Sequence, residues 1–296
     1  MKSLEMSVTA DAANSSKIAF EFVKALAAEL SSGNIDLPSF PDIAMRVQRV
    51  LGDDGVSPER VVRVIGGEPA LAARILSMAN SAALNPSGRQ ISDLKNAVAR
   101  LGFDMLRSCA ISFSMAQLRK ADQFKAIEKP MNLLWQRSIQ VAALSFVIAK
   151  RHSRLIPDVA LLAGLLHGVG KLYILTRASK FPALFSDQSS YNVIVRDWHS
   201  GIAKALLETW EIAPQIVDAI ESHDCSEREV RGAATLADIL AVGSVFASLK
   251  DQPDLLEATL LESKSAKILN IDRQAWQKIL QDSAAEIAAL REALGN

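Results

Sequence analysis

Cysteine is scarce in this sequence: Cys109 and Cys225 are the only two in 296 residues. That is too few for a disulfide-built secreted scaffold, so the expected setting is a reducing cytoplasm, with both thiols ordinary and buried or half-buried. Aromatic residues make up only 5%. Their scarcity, beside abundant Ala, Leu and Ile, leans towards helix over sheet. An excess of charge of one sign is also missing, since 33 basic side chains meet 33 acidic ones. A protein that coats a polyanion normally carries a basic surplus, so nucleic-acid binding is disfavoured. Long apolar runs are lacking too. The two most apolar stretches, 159–175 and 233–249, are interrupted by His167 and Lys171 and by Asp238, and no membrane insertion is expected. The opening MKSLEMSVTADAANSS has no apolar segment of the signal-peptide kind. The common local catalytic motifs (H-E-x-x-H, paired C-x-x-C, G-x-S-x-G, Walker loops) are absent. Gly164, Gly168 and Gly170 cluster, but no strand precedes them, which argues against a phosphate-cradling loop.

What is present is helical periodicity along nearly the whole chain. Hydrophobic residues amount to 49%, and the length is about twice that of a typical domain. Ile18, Phe22, Leu26 and Leu30 fall four apart on one helix face, before Ser31 to Asn34 break the pattern. Residues 37–41 read as extended, with Asp42 as a cap for the next helix. Ser57-Pro58 marks a helix start, Pro69 opens another, and Leu94 to Met105 define a helix with a bend at Gly102. Further helices are expected over about 105–120, after Pro130, from Pro157, and around 193–209, 214–223 and 230–248. The tail, 253–294, reads as two amphipathic helices with a break near Asn270. The pattern predicts a compact all-α protein of about a dozen helices.

Three of the four histidines sit beside apolar helical surface. His167 ends the run Leu161–Leu166, His199 follows Trp198, and His223 precedes Asp224. Core histidines usually make one satisfied structural hydrogen bond. Three on separate helices could also converge, since helical bundles build metal sites from facing helices. The pair of helices at 58–80 superficially imitates a helix-turn-helix, but the second offers Ala, Leu and Met where a reading helix offers basic and polar groups. Trp135, Trp198 and Trp210 read as packing residues.

Several stretches carry a family likeness. LPSFPDIAMRVQRVL, PALAARILSMANSA and ISDLKNAVARLGFDMLRS resemble the amino half of the HDOD family, a bacterial signalling domain related to HD-type metal-dependent phosphohydrolases. LLAGLLHGVGKL, RDWHSGIAKALLETWEIAPQIVDAIESHD and ATLADILAVG resemble its second half. The resemblance implies an HD-like bundle with an additional amino-terminal helical subdomain. The expected division is an extension over 1–36, an HDOD domain over 37–250 with halves 37–120 and 131–248, and a second extension over 251–296. The 36 residues ahead of it are too few for a sensor or receiver domain.

The likeness also supplies a site. Catalytic relatives need an early His, an adjacent His-Asp pair and a final Asp. Here these positions are Arg137, His167-Gly168 and Asp238, with His199 and His223 where some relatives add further histidines. Glycine offers no ligand, and a protonated guanidinium repels a dication. Losing the aspartate also removes the hard oxygen that magnesium or manganese prefers. The expectation is therefore a degenerate site without turnover: a signalling module that binds a protein partner or a small ligand. No cofactor is required by this reading. A single divalent metal on His167, His199, His223 and Asp238 stays open, as do a residual phosphohydrolase acting on a nucleotide or cyclic dinucleotide, and a homodimer. Arg137 either fills the missing cation's place by pairing with Asp238 or is a surface residue. Asn80 and Ser81, from the recurrent Asn-Ser-Ala triplet, read as a structural turn or as a partner contact.

Overall fold

In the computed structural model the described residues are 2–33, 35, 37, 42–53, 55–225 and 232–295, with the side chains of 2–16 and 186 outside the description. Among them are fifteen α-helices and no strand. In chain order these are α1 (Lys2–Ser32), α2 (Asp42–Leu51), α3 (Pro58–Gly66), α4 (Pro69–Ala79), α5 (Leu94–Arg119), α6 (Glu128–His152), α7 (Pro157–Leu166) and α8 (Val169–Ala178). Then follow α9 (Gln188–Thr209), α10 (Pro214–Ser222), α11 (Leu236–Leu249), α12 (Pro253–Glu262), α13 (Lys264–Ile268), α14 (Arg273–Asp282) and α15 (Ala284–Ala293). Short 3-10 segments at Asp122–Ile127 and Pro182–Ser186 join α5 to α6 and α8 to α9.

Local chemistry sets many of the boundaries. Ser57 accepts a hydrogen bond from the Arg60 amide while Pro58 starts α3, and the Asp93 carboxylate caps α5 in the same way. Pro69, Pro157, Pro214 and Pro253 likewise open helices, where a missing N–H costs nothing. The bend expected in α5 is present: Gly102 adopts φ 72°, a conformation that disfavours a Cβ. In α4, Leu71, Ile75, Met78 and Ala79 are buried. One face of the helix is thus committed to the core.

The centre of the molecule is α6, whose residues 141–149 are buried without a break. Such a helix, apolar all round, must be wrapped by others. Here α5, α7, α11 and α15 do so. The contact with α7 is nearly backbone to backbone, because a Cβ on Gly164 would lie 2.4 Å from the Ala142 Cα. The stretch Pro157–Ala178 is long and apolar enough to cross a membrane, but 89% of its most apolar window is buried inside the fold.

The first helix is not confined to 18–30 but runs from Lys2, since no residue ahead of Lys17 breaks it. It docks on the fold through buried Phe22 and Leu26, an edge contact of Phe22 with Phe181 at 5.3 Å, and Glu29, which pairs with Arg177 at 2.9 Å and accepts from the Tyr173 hydroxyl. The tail holds four helices rather than two. Ser263 ends α12 and caps α13 through the Ala266 amide, while the break at Asn270, with φ 53°, falls where expected. Asp272 caps α14, and buried Ser283 divides α14 from α15. The helix expected from 230 starts at Leu236, and residues 226–231 lie outside the described part. Residues 38–41 of the expected extended segment also lie outside it. Asp42 is the first residue of α2 rather than a residue preceding it. Cys109 is fully buried, its thiol pushed up to about 12, whereas Cys225 is exposed rather than half-buried.

Candidate functional site

His167 and His223 close two helices in the same manner. Each sits just past a helix end (α7 and α10) and turns its ring back on the last turn. His167 Nδ1 donates to the Gly164 carbonyl at 2.6 Å, and His223 Nδ1 donates to the Ile220 carbonyl at 2.8 Å. A carbonyl only accepts, so Nδ1 carries the proton in both rings and Nε2 points away from the helix. The two rings meet edge to face, centroids 5.8 Å apart.

His199 arrives from α9, brought close by Gly170. A Cβ at residue 170 would fall 1.9 Å from the His199 carbonyl oxygen, so only glycine lets α8 and α9 approach this far. Asp224 lies between the imidazoles, with its carboxylate 3.2 Å from His223 Nε2, 3.6 Å from His199 Nε2 and 3.6 Å from Lys171 Nζ. Burial resists its ionisation, but His223, Lys171 and His199 outweigh that and hold the carboxyl below its ordinary range. Burial pulls His167 down to about 3, with His223 adding to the effect. It takes His199 down to about 4, helped by Lys171. Both rings are therefore neutral at physiological pH. The cluster opens on a groove of about 510 Å³ whose lining includes Lys171, Asn192, Arg196, His199 and Cys225.

The other expected residues lie elsewhere. Asp238 is fully buried in the first turn of α11, in a capping box with Thr235. Its carboxylate accepts from the Thr235 amide at 2.8 Å, the Thr235 hydroxyl at 2.6 Å and the Ser265 hydroxyl at 2.7 Å. Replacing Asp238 with Asn would set a donor against donors. The expected loss is about 2 kcal/mol of stability in a denaturant titration; an unchanged midpoint would show the cap to be dispensable. Arg137 does not pair with Asp238. Its exposed side chain donates to the Ser248 hydroxyl at 2.5 Å, ten residues further along α11, or about 15 Å along the axis. The α6 residue that faces Gly168 is Ser138, whose Oγ stands 2.8 Å from where a Cβ on residue 168 would sit. Asn80 braces a turn: its amide donates to Leu76 and Ile91 carbonyls and accepts from the Ile91 amide, all within 2.9 Å. The Ser81 hydroxyl is buried, without a hydrogen-bond partner among the described residues.

The donor set does not fit a hydrolase metal centre. His167 and His223 carry the tautomer that metal-binding imidazoles use, each fixed by a backbone carbonyl. Yet Gly168 contributes no oxygen, the Asp238 oxygens accept from Thr235 and Ser265, and among the described residues no group of three or more His, Cys, Asp or Glu is arranged to hold an ion. Asp224 and Lys171 were missed as site residues. The adjacency of Asp224 to His223 and the four-residue step from His167 to Lys171 were the available signals.

Comparison with known proteins agrees with this architecture. In Shewanella amazonensis a solved protein provisionally named a metal-dependent phosphohydrolase has a TM-score of 0.75 and 26% identity, covering 94% of this chain and 99% of that one. A solved HDOD domain protein of unknown function from Geobacter sulfurreducens gives a TM-score of 0.65 and 26% identity, over 91% and 96% of the two chains. An uncharacterized protein of Treponema pallidum is 24% identical over 212 residues, 67% of this chain. The chain spans about two fifths of that relative, the matched part being 39% of its length. The model of the HDOD domain matches residues 37–225, well over half of the chain, and the chain belongs to the HDOD family.

Proposed function

We propose that this protein is a cytoplasmic signal-transduction module that works by binding, without turnover, and that its HD-type site is degenerate. The observation that carries the reading is the turn at Gly168. The residue that follows the site histidine has no side chain, and the space beside it is taken by Ser138. A phosphohydrolase needs anionic oxygens there to hold its metal and neutralise charge at the phosphoryl group. The helical division read from the family likeness, with an HDOD domain over 37–250 flanked by docked extensions, is part of the same proposal. A solved relative in Marinobacter aquaeolei, 18% identical with a TM-score of 0.55, is provisionally named a signal-transduction protein. At that identity it supports the fold alone.

The second reading is a residual phosphohydrolase. It is favoured by the shared Nδ1-bonded tautomer of His167 and His223, the one that imidazoles bound to zinc, iron or nickel use. Elemental analysis of tag-free protein prepared without chelator separates the two, together with release of nitrophenol from bis(p-nitrophenyl) phosphate under added manganese. The expected result is metal well below one equivalent and release no faster than in buffer. Stoichiometric metal together with release that His167→Ala abolishes would overturn the binding-only reading.

A further inference from the structure

A second pocket lies on the far side of the Gly168 turn, where α5, α6 and α8 meet. Its lining includes Met115, Arg119, Met131, Trp135, Ser138 and Leu172. Two of the residues lining it carry a buried hydrogen-bond donor that has no acceptor among the described residues. Trp135 is 5% exposed, and its indole Nε1–H is buried without a partner, as is the Nε–H of Arg119. Buried donors of this kind are costly to leave unmade, and each demands an explanation.

The electrostatics point the same way. The Arg119 guanidinium lies over the Trp135 ring, 5.4 Å from its centroid, and its Nη1 donates to the Asn132 side-chain oxygen at 2.7 Å. Among the described residues it makes no salt bridge. Burial and the neighbouring Arg74 lower its pKa, against a weaker opposing pull from Glu128. The positive charge is thus under-compensated, and both open donors are short of an anion.

We propose that this pocket binds a small carboxylate with an apolar tail, one oxygen accepting from Trp135 Nε1–H and the other from Arg119 Nε–H. The cavity measures about 20 Å³, room for one water-sized group, so an oxygen tip fits and a bulky head does not. A phosphoryl group carries more oxygens than two donors can satisfy beside apolar walls. The methionine side chains are adaptable enough to admit an alkyl chain. The site is separate from the histidine cluster and does not rest on the function proposed above: it stands or falls whether or not the histidines hold metal.

The test uses the full chain labelled with 15N-tryptophan, which gives one indole resonance for each of its four tryptophans. Trp135→Phe identifies the relevant signal. Hexanoate is expected to move that signal saturably, with hexanol at least about tenfold weaker and Arg119→Gln lowering hexanoate affinity by a similar factor. The other three indole signals report whether the variant is folded, and Arg119→Lys serves if it is not, with a several-fold loss expected because the forked donor is gone. A Trp135 signal unmoved by hexanoate at about 10 mM, weaker than any useful site, would mean that water alone occupies the pocket and would overturn the proposal. Equal shifts from hexanol, or displacement of hexanoate by inorganic phosphate, would overturn the carboxylate assignment.

Discussion

Replacing Gly170 with alanine is expected to destabilise the protein by about 3 kcal/mol or more, a fall in Tm of roughly 5 °C. The new Cβ would sit 1.9 Å from the His199 carbonyl oxygen and 3.0 Å from the Ala203 amide nitrogen. Both are backbone atoms of α9, so no rotamer change can relieve the clash, and α8 and α9 must part. His199 would then move away from Lys171 and Asp224, so loss of stability and disruption of the groove should appear together. Gly201→Ala is the matched control. Nothing lies within 4 Å of its added methyl, and a helical Gly→Ala change there should be neutral or stabilising by up to about 1 kcal/mol. Thermal melts of the two variants decide the matter: a Gly170→Ala protein that melts with wild type would refute the close approach of α8 and α9.

That approach shows why part of the site was legible and part was not. The elements were readable because proline, glycine and capping residues punctuate a strong apolar period. Ser57-Pro58, Gly102 and Asn270 each act where the sequence places them. Helix ends were harder to read. The stretch before Lys17 contains no proline or glycine to stop a helix and no strong apolar face, and in the tail Ser263 and Ser283 end helices without a proline or glycine to announce it.

In the site, sequence spacing could not show that His167, His199 and His223 meet, because the three lie on different helices. Their apolar surroundings raised them as a possible set, the family likeness placed them at one site, and the geometry of two helix ends and one glycine contact assembles them. The assignment of Arg137 illustrates a sharper limit. Neighbouring residues on a helix point about 100° apart, so Arg137 reaches the surface at Ser248 while Ser138 turns inward to Gly168. A match good to one residue in sequence is thus insufficient to say which side chain enters a site. Asp238 was found as a buried acid, but its capping role needed Thr235 and the distant Ser265 to be seen beside it.

The histidine cluster also contributes to the protein's response to acid, as does His152, which burial shifts in the same direction. Between about pH 6 and pH 4, stability is expected to fall by up to about 1.4 kcal/mol per pH unit for each of His167 and His199, or nearly 3 kcal/mol per unit together. The sign follows from the direction of the shifts. In the folded state the rings titrate at about 3 and about 4, whereas the unfolded chain titrates them near the ordinary 6.5. Below that value the unfolded state binds protons that the folded state refuses, so protonation draws the equilibrium towards unfolding. The contribution is complete above the unfolded value and is lost as the pH falls towards the folded ones. Asp224 adds to the loss only lower down, since its carboxyl is held below its ordinary range and stays ionised through most of this window. Urea titrations at half-unit steps from pH 7.5 to 4.5 measure the slope directly. His199→Asn should lower stability at pH 7 yet flatten the profile, because the substituted side chain cannot take up a proton in either state. His167→Gln should flatten it further. A wild-type stability that is level from pH 7 to 5 would mean that both rings accept protons in the folded protein, which their burial beside Lys171 and His223 opposes.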